Sequence, residues 1–386
     1  MRRCIYCCED KVEADFTLEH VLPQFMGGAY APDYFKIRDV CEHCNSNLGL
    51  FVDAGFEKNW FVSNKLREAA YAFFDPNNPV VGLPLICMGK SDLVPPQLHE
   101  DEVCESWLGP LGEQVYWVRP HDERLYWYTG GNPRTTKTIE SRAYFLFSER
   151  SPKNPLISWL SFRDAFEGRR VKKIMCTVVE SANPADIGFE TPDELDQLRI
   201  AYFAETCHSS QTRQNRLAMY TLFDLRFLAK IALGTAYALF GNRALRTAYA
   251  NELYNALWYR VGEDQPQINA TSAIAHGSDP QFSKLTGEDS AVTITILPSP
   301  KGVAVSLNLG ASLNWVVMCA SHEGLTEEDI GPLREGLVIV LYRQLQRGVT
   351  LTLPEYVAHK CGSVPHSALT EISARLSLYP DYFKNL

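Results

Sequence analysis

Two pairs of closely spaced cysteines near the N-terminus constrain the fold of this chain more than any other feature. Cys4 and Cys7 form one C-x-x-C knuckle, and Cys41 and Cys44 form a second. Each knuckle can place two thiolates on one tetrahedral zinc ion, at about 2.3 Å from each sulfur. Four cysteine ligands leave no open position for water on the metal. The pattern therefore predicts a structural zinc site that provides part of the folding free energy of a short segment.

The other cysteines do not extend this metal pattern. Cys8 adjoins Cys7, so it is the alternative ligand if the register of the first knuckle moves by one. An odd total of eleven cysteines without a regular framework argues against a set of disulfides. Apolar surroundings predict buried thiols at Cys87, Cys104, Cys176, Cys207, Cys319 and Cys361.

Composition restricts the class of protein. A length of 386 residues is enough for two or three domains, each with its own core. Hydrophobic residues at 46% and charged residues at 22% are typical of a folded globular chain and exclude disordered and fibrous proteins. The net charge of −9 argues against a passive coat of nucleic acid, although local cations can still serve a nuclease.

Localisation signals are absent from the sequence pattern. The start at Met1-Arg2-Arg3 runs into the first knuckle without the apolar region of a secretory signal. No stretch approaches the roughly 18 uninterrupted apolar residues of a membrane span. We therefore predict a cytoplasmic protein that does not insert into membranes.

The order of sequence patterns predicts an α+β chain in three regions. A cysteine- and histidine-rich module occupies residues 1–62, a strand-rich region 63–190 and a mainly helical region 191–386. Predicted strands lie at 115–118, 125–128, 143–147, 174–179, 292–297 and 303–307. Predicted helices lie at 61–74, from about 191, at about 214–240 and 244–261, and near 331–346.

A polar motif between and after the knuckles gives the segment a specific resemblance. Glu19 and His20 are followed by Pro23, and Cys44 is followed directly by Asn45. Two knuckles around this motif resemble the HNH (ββα-metal) endonucleases, in particular their cysteine-bearing branch. The resemblance covers about residues 1–60.

The resemblance implies a role for each of these side chains. His20 would be the general base that activates water, which requires a neutral imidazole near pH 7. Glu19 and Asn45 would hold one catalytic Mg²⁺ or Mn²⁺ ion, because oxygen ligands suit such hard cations. The implied substrate is double-stranded DNA, with 5′-phosphate and 3′-hydroxyl products.

The sequence departs from the usual family pattern in two places. The acidic residue before His20 is Glu rather than Asp, and residues 34–40 lack the middle Asn that often orients the catalytic histidine. Asn47 or a backbone carbonyl is the alternative orienting group. Asp53, eight residues beyond Asn45, is a candidate further ligand or support on nearly the same helix face. We interpret His43 as an exposed knuckle residue rather than a catalytic one.

Two basic clusters stand out from the acidic chain. The first predicts contact with a phosphate backbone or, equally, a solvated turn before a strand. It contains Arg163, Arg169, Arg170, Lys172 and Lys173. In the second, Arg226 and Lys230 share a face of an apolar helix, and Arg213 and Arg216 precede them. Pairing with carboxylates of the same domain is the favoured interpretation of Arg226 and Lys230, ahead of an anionic ligand or nucleic acid.

The sequence as a whole predicts a metal-dependent DNA endonuclease. The chain behind the nuclease segment predicts regulation, as in a defence-type antiviral effector that waits for a signal ligand or partner protein, with a homo-oligomer as a further expectation. Two alternatives stay open: a catalytically inactive zinc-dependent nucleic-acid-binding module, and a nuclease that acts on RNA. Cys207 and His208 lack an oriented acid for a nucleophile, and no Walker loop or dinucleotide fingerprint implies ATP or NAD.

Overall fold

The chain forms two compact units in a computed structural model. The residues described are 1–77, 82–121, 129–178, 183–208, 212–218, 224–260, 262–277, 279–376 and 382. One unit consists of residues 1–57 and 221–377, and the other of residues 58–220 and 378–386. The predicted α+β class is confirmed, since each unit combines helices with a six-stranded sheet. The predicted regions follow chain order, whereas the first unit is assembled from segments distant in sequence.

The N-terminal segment contains two small hairpins followed by helix. Its elements are β1 (Arg2–Arg3), β2 (Asp10–Lys11), β3 (Phe16–His20), β4 (Lys36–Cys41), α1 (Glu42–Leu48), a π-helical turn (Gly49–Asp53) and α2 (Ala54–Glu57). Strand β1 pairs antiparallel with β2, and β3 pairs antiparallel with β4. This succession of two paired strands and a helix is the ββα arrangement that the resemblance implied.

The second unit is a sheet with a helix on each face. Its elements are α3 (Trp60–Ala72), β5 (Ile86–Ser91), β6 (Glu102–Leu108), β7 (Gln114–Pro120), α4 (Pro133–Thr138), β8 (Ser141–Leu146), α5 (Pro155–Asp164), β9 (Val171–Met175), α6 (Glu194–His208) and β10 (Asn215–Arg216). The strand order is β10-β5-β6-β7-β8-β9, and only the β8–β9 pair is parallel among the described strands. Alternate residues of β7 and β8 pack against α5 on one face and against Phe203 of α6 on the other.

The chain then returns to the first unit. Its elements there are α7 (Leu225–Phe240), α8 (Ala248–Leu257), β11 (Ala270–Thr271), α9 (Pro280–Thr286), β12 (Val292–Ser299), β13 (Gly302–Leu309), β14 (Leu313–Ser321), α10 (Glu327–Ile330), β15 (Leu337–Tyr342), β16 (Arg347–Thr352), α11 (Leu353–Lys360) and α12 (Ser367–Leu376). Strands β11 to β16 form one antiparallel sheet in the order β11-β14-β13-β12-β15-β16.

Helix α7 joins the N-terminal segment to this sheet. Ten consecutive residues, 227–236, are buried, as expected for a helix that is apolar on all sides. The Phe227 ring stacks on Phe56 with 3.8 Å between ring centroids, and Phe56 packs edge-on against Trp315 of β14. Tyr254 of α8 and Trp258, the residue after this helix, donate hydrogen bonds to backbone carbonyls of the first knuckle. The segment with the cysteines is therefore packed within a larger core.

Most predicted elements are confirmed, and one is wrong. The helix at 61–74 and the strands at 115–118, 143–147, 292–297 and 303–307 are present, and the strand from 174 ends early, at Met175. The helix predicted from about 214 begins only at Leu225, after strand β10, and residues 125–128 lie outside the described part of the chain. The helix predicted near 331–346 is wrong, because residues 337–342 form the interior strand β15. Among the described residues, no helix is both long and apolar enough to cross a membrane.

Candidate functional site

The four knuckle cysteines come together as predicted. Their sulfur atoms all lie within 4.8 Å of one another, and the Cys7 and Cys41 sulfurs are 4.0 Å apart. Tetrahedral zinc with bonds of about 2.3 Å places its sulfur ligands roughly 3.8 Å apart, so the donor set fits this ion. Contact with the Cys44 side chain lowers the pKa of Cys4 to about 4, whereas burial raises the pKa of Cys7 and the same contact with Cys4 raises that of Cys44. Without a metal, the cluster therefore favours a single thiolate at Cys4, and zinc would have to displace the protons of the other thiols. The four residues would hold zinc as a structural ion.

The register of the first knuckle is settled by the same cluster. Cys8 is outside the four-sulfur group and takes a left-handed backbone conformation, with φ of 59°. Cys41 ends β4 and Cys44 lies in the first turn of α1. The four-cysteine cluster thus connects the start of α1 to the loop after β1.

His20 is the last residue of β3 and its ring is partly buried. Burial lowers the pKa of His20, and the positive charges of Lys36 and Lys230 lower it further. These effects favour the neutral imidazole that can accept a proton. No hydrogen bond to the ring is present among the described residues. Asn47, the alternative orienting group, instead lies 3.0 Å from Nε2 of His43.

Asn45 connects α1 to strand β3. Its side-chain amide donates hydrogen bonds to Oγ1 of Thr17 and to the carbonyl of Leu18, both at 2.9 Å. These two bonds use both donors of the amide, so the side-chain carbonyl oxygen is the atom left for any ligand. Asn45 therefore holds the strand that ends in His20.

Glu19 lies in the interior of the first unit. Its carboxylate is 2.9 Å from the ammonium nitrogen of Lys230, which is also 2.5 Å from Oδ2 of Asp53. The Tyr6 hydroxyl donates a further hydrogen bond to Glu19 at 3.4 Å. The side chains of Lys230 and Glu19 are 1% and 4% exposed. The structure thus brings Glu19 and Asp53 together around a lysine from α7.

The charges of this group follow from their surroundings. Burial raises the pKa of Glu19 and of Asp53, and the charge of Lys230 opposes that change. Burial alone would lower the pKa of Lys230, but the two carboxylates raise it overall. Lys230 is therefore a buried cation that compensates the negative charge of the two carboxylates.

A divalent ion on Glu19 and Asn45 does not fit this arrangement. The Glu19 carboxylate is buried against an ammonium group, so of the two side chains only the carbonyl oxygen of Asn45 remains for a ligand. Within the described residues, the four cysteines are the sole cluster of three or more His, Cys, Asp or Glu side chains suited to a metal. Glu19 in this position presents no carboxylate oxygen to a phosphate group in solvent.

The first basic cluster is held by contacts inside the second unit. Lys172 contacts Asp193 and Asp196 at 2.9 and 2.5 Å, and the ring systems of Trp117 and Phe166 lie beside the Arg169 guanidinium. The remaining members pair with Asp164 (Arg163), Glu140 (Arg170) and the Arg163 carbonyl (Lys173). Contact with nucleic acid by Arg169, Arg170, Lys172 and Lys173 stays a prediction.

In the second basic cluster, pairing with carboxylates is confirmed for Lys230, whereas the hydrogen bond of Arg226 is to a backbone carbonyl. Lys230 pairs with Glu19 and Asp53, and Arg226 donates to the carbonyl of Leu257 at 2.8 Å. The charge of Lys230 within an apolar helix was the signal for buried partners, but nothing in the sequence identified them. Tyr6 and Lys36, which also act on this site, carried no signal in the sequence.

Comparison with known families agrees with the geometry of the N-terminal segment. Residues 4–61 match the family described as HNH endonuclease. Neither the comparison with curated proteins nor that with solved structures gave a match. The matched residues include the four cysteines, His20 and Asn45. Residues 4–61 therefore match the HNH endonuclease family and contain a zinc-binding arrangement of four cysteines, and a match to this family implies that the segment binds nucleic acid.

Proposed function

We propose that this protein is an endonuclease that hydrolyses the phosphodiester bonds of DNA with His20 as the general base. One observation carries the proposal: within an HNH module, a partly exposed histidine ends strand β3 in surroundings that lower its pKa. A histidine of this kind is neutral near pH 7 and can take a proton from water. His43, the other histidine of the module, is exposed beside Asn47.

The proposed reaction is an in-line displacement at phosphorus. The imidazole of His20 accepts a proton from a water molecule, and the resulting hydroxide attacks the phosphorus atom. The bond from phosphorus to the 3′ oxygen breaks, and this oxygen takes a proton from solvent. His20 then returns its proton to water. The products carry a 5′-phosphate and a 3′-hydroxyl, as the resemblance to the family implies.

Two residues and the four-cysteine cluster prepare this site without taking part in the reaction. Asn45 holds the backbone of β3 at Leu18, two residues before His20. Lys36 stands opposite His20 in the hairpin and favours its neutral form. The zinc cluster fixes the start of α1, from which Asn45 projects. A divalent ion would stabilise the charge of the reacting phosphate, but no step of this reaction depends on an ion at Glu19.

We propose in addition that the rest of the chain restrains the nuclease. The packing of α7 against the N-terminal segment supports this, because the module is part of a larger core rather than a free domain. A defence-type effector released by a signal ligand, a partner protein or self-association is the corresponding biological proposal. Full-rate plasmid cleavage by the purified chain alone would remove its support.

A second candidate function is favoured by the position of Glu19. Because Lys230 neutralises this carboxylate, the module could bind nucleic acid through its zinc-stabilised fold without cutting it. This candidate predicts binding that depends on zinc and is indifferent to substitution of His20.

Plasmid cleavage by the full-length protein tests the proposal. Wild type, His20→Ala and His43→Ala would be compared with Mg²⁺ or Mn²⁺ present and with zinc content verified as equal. Loss of the general base should reduce the rate about 10²- to 10⁴-fold, and only in His20→Ala. Equal rates in all three proteins would exclude His20 as the base. A wild type that binds DNA but cuts neither DNA nor RNA would establish the second candidate, and cleavage confined to RNA would correct the substrate.

A further inference from the structure

We infer that the ammonium group of Lys230 is the built-in cation of the acidic pair Glu19 and Asp53, and that it excludes a divalent ion from that pair. The inference rests on the proposed function for its catalytic meaning, since Glu19 occupies the position at which the family holds its ion. The exclusion of the ion involves only the side chains of Lys230, Glu19 and Asp53, so it can be tested without a substrate.

The distances show a cation position that is already filled. The Lys230 nitrogen is 2.9 Å from Glu19 and 2.5 Å from Asp53, and both are hydrogen-bonding distances. Divalent cations bind oxygen ligands at about 2.0–2.6 Å, so an ion shared by these two carboxylates would need the same space. A second cation beside a buried ammonium would also meet strong repulsion in a medium of low dielectric constant. Lys230 and a divalent ion are therefore alternatives.

The acidic pair needs a cation of some kind. Glu19 is almost fully buried, and Oδ1 of Asp53 is a buried oxygen without a hydrogen-bond partner among the described residues. Removing Lys230 would leave two carboxylates facing each other away from water, which is costly unless a proton or another cation replaces it. The pair thus has the capacity to take a divalent ion once Lys230 is gone.

The position of Lys230 is set by α7. Phe227, one turn before it, stacks on Phe56, and a Cβ at Gly234, one turn after it, would meet Val21 at 2.8 Å. The lysine cannot leave the pair by a simple side-chain rotation into solvent, because its side chain is 1% exposed. A divalent ion on Glu19 would require Lys230, and with it this part of α7, to be displaced from the pair. Helix α7 therefore controls whether Glu19 is a metal ligand.

A purely structural ion pair would give different results from an excluded metal site. If the ion pair is purely structural, Lys230→Met should be less stable than wild type whether or not divalent ions are present. If Lys230 excludes a metal, the same variant should gain an affinity for Mn²⁺ that depends on Glu19. Methionine is suitable because it keeps the length of the lysine stem and removes its charge.

The experiment is a Mn²⁺ titration of the zinc-loaded full chain, with melting temperature as the readout. Four proteins are compared: wild type, Lys230→Met, Glu19→Gln and the double variant. We expect Mn²⁺ to raise the melting temperature of Lys230→Met and of no other protein, with an affinity at least about tenfold above that of wild type. The double variant is the matched control, since it lacks both the lysine and the carboxylate.

Two results would overturn the inference. One is a Lys230→Met protein that gains nothing from Mn²⁺. The other is a wild type that is stabilised by Mn²⁺ through Glu19, which would show that the ion and the lysine coexist. If Lys230→Met does not fold, Mn²⁺ electron paramagnetic resonance on wild type and Glu19→Gln decides the question: equal binding supports exclusion, and binding lost with Glu19 contradicts it.

The readout separates this inference from the nuclease proposal. A chain that follows the expected Mn²⁺ pattern but cuts no nucleic acid under any condition contradicts the proposed function alone. If the wild-type protein cuts DNA through His20 and also binds Mn²⁺ on Glu19, this inference alone is contradicted.

Discussion

His20 of β3 stands directly opposite Lys36 of β4 in the register of their hairpin. Lys36 also forms an ion pair with Asp33 at 2.9 Å. Residues 34–40, which lack the middle Asn of the family pattern, thus place a cation, Lys36, near His20. A cation beside an imidazole disfavours its protonated form.

The first prediction concerns the pH dependence of His20. Burial, Lys36 and Lys230 hold its pKa below the ordinary value of 6.5, so the ring should lose its proton at a lower pH than a free histidine. Cleavage should fall as the pH drops through this lowered pKa and not before. Lys36→Met removes one cation, so it should raise the pKa of His20, by less than about one unit because the groups are partly exposed to solvent.

Ring-proton NMR titration of His20 measures this change without requiring activity. Lys11→Met is the control, because Lys11 lies in the same segment and pairs with Glu9 rather than facing His20. A His20 pKa that falls in Lys36→Met, or that shifts equally in both variants, would contradict the assigned cause.

The second prediction concerns zinc. Cys44 is fully buried within the four-sulfur cluster, whereas Cys8 lies outside it. Cys44→Ser should therefore lose the metal and destabilise the first unit, because metal binding is part of its folding free energy. Cys8→Ser should retain zinc. Metal content by mass spectrometry and thermal unfolding would check both. Zinc loss in Cys8→Ser would show that the first knuckle is shifted by one residue, and zinc retained in Cys44→Ser would contradict the four-cysteine site.

The third prediction concerns Asn45. Asn45→Ala removes two hydrogen bonds that hold α1 to β3 and leaves the Leu18 carbonyl without this donor. We expect a loss of about 1–3 kcal/mol in the free energy of unfolding. Asn47→Ala, two residues along the same helix, removes only an exposed contact with His43 and should change stability by less than about 0.5 kcal/mol. Denaturant unfolding of both variants would decide, and equal losses would refute the assigned role.

The sequence predicted those parts of the site that depend on spacing along the chain. The distance between paired cysteines fixes two ligands of one metal, so Cys4, Cys7, Cys41 and Cys44 could be identified before the structure. The pairing of Lys230 with Asp53, 177 positions away, has no such local signature. Sequence reasoning could state only that a charge in an apolar helix needs a partner.

The wrong prediction of a helix at residues 331–346 also arises because local sequence lacks the deciding information. Its centre, Leu337–Tyr342, is a short and continuous apolar run that is buried on both faces of an interior strand. Such a run lacks the alternation of a half-buried strand, so its periodicity cannot distinguish a buried strand from a buried helix. The pairing of β15 with β12 and β16 decides the outcome, and pairing depends on the rest of the fold.

The final prediction uses two glycines of the first unit that should respond in opposite directions to the same substitution. At Gly234 of α7, an added Cβ would lie 2.8 Å from Cγ1 of Val21 and 3.0 Å from the hydroxyl oxygen of Tyr6. At Gly49, which has helical backbone angles, an added Cβ would meet nothing within 4 Å. Gly234→Ala should therefore destabilise the protein by about 1–3 kcal/mol through overpacking. Gly49→Ala should stabilise it by roughly 0.5–1 kcal/mol, because alanine favours helix.

Denaturant unfolding of the two variants measures both signs in one series. The substitution at Gly234 separates α7 from Val21, the residue after His20, so it should also weaken the hold of Lys230 on Glu19 and Asp53. Mn²⁺ should then restore part of the lost stability in Gly234→Ala and none in Gly49→Ala. A Gly234→Ala protein as stable as wild type would show that α7 is not held tightly against residues 4–61, and the control of Glu19 by this helix would lose its physical basis.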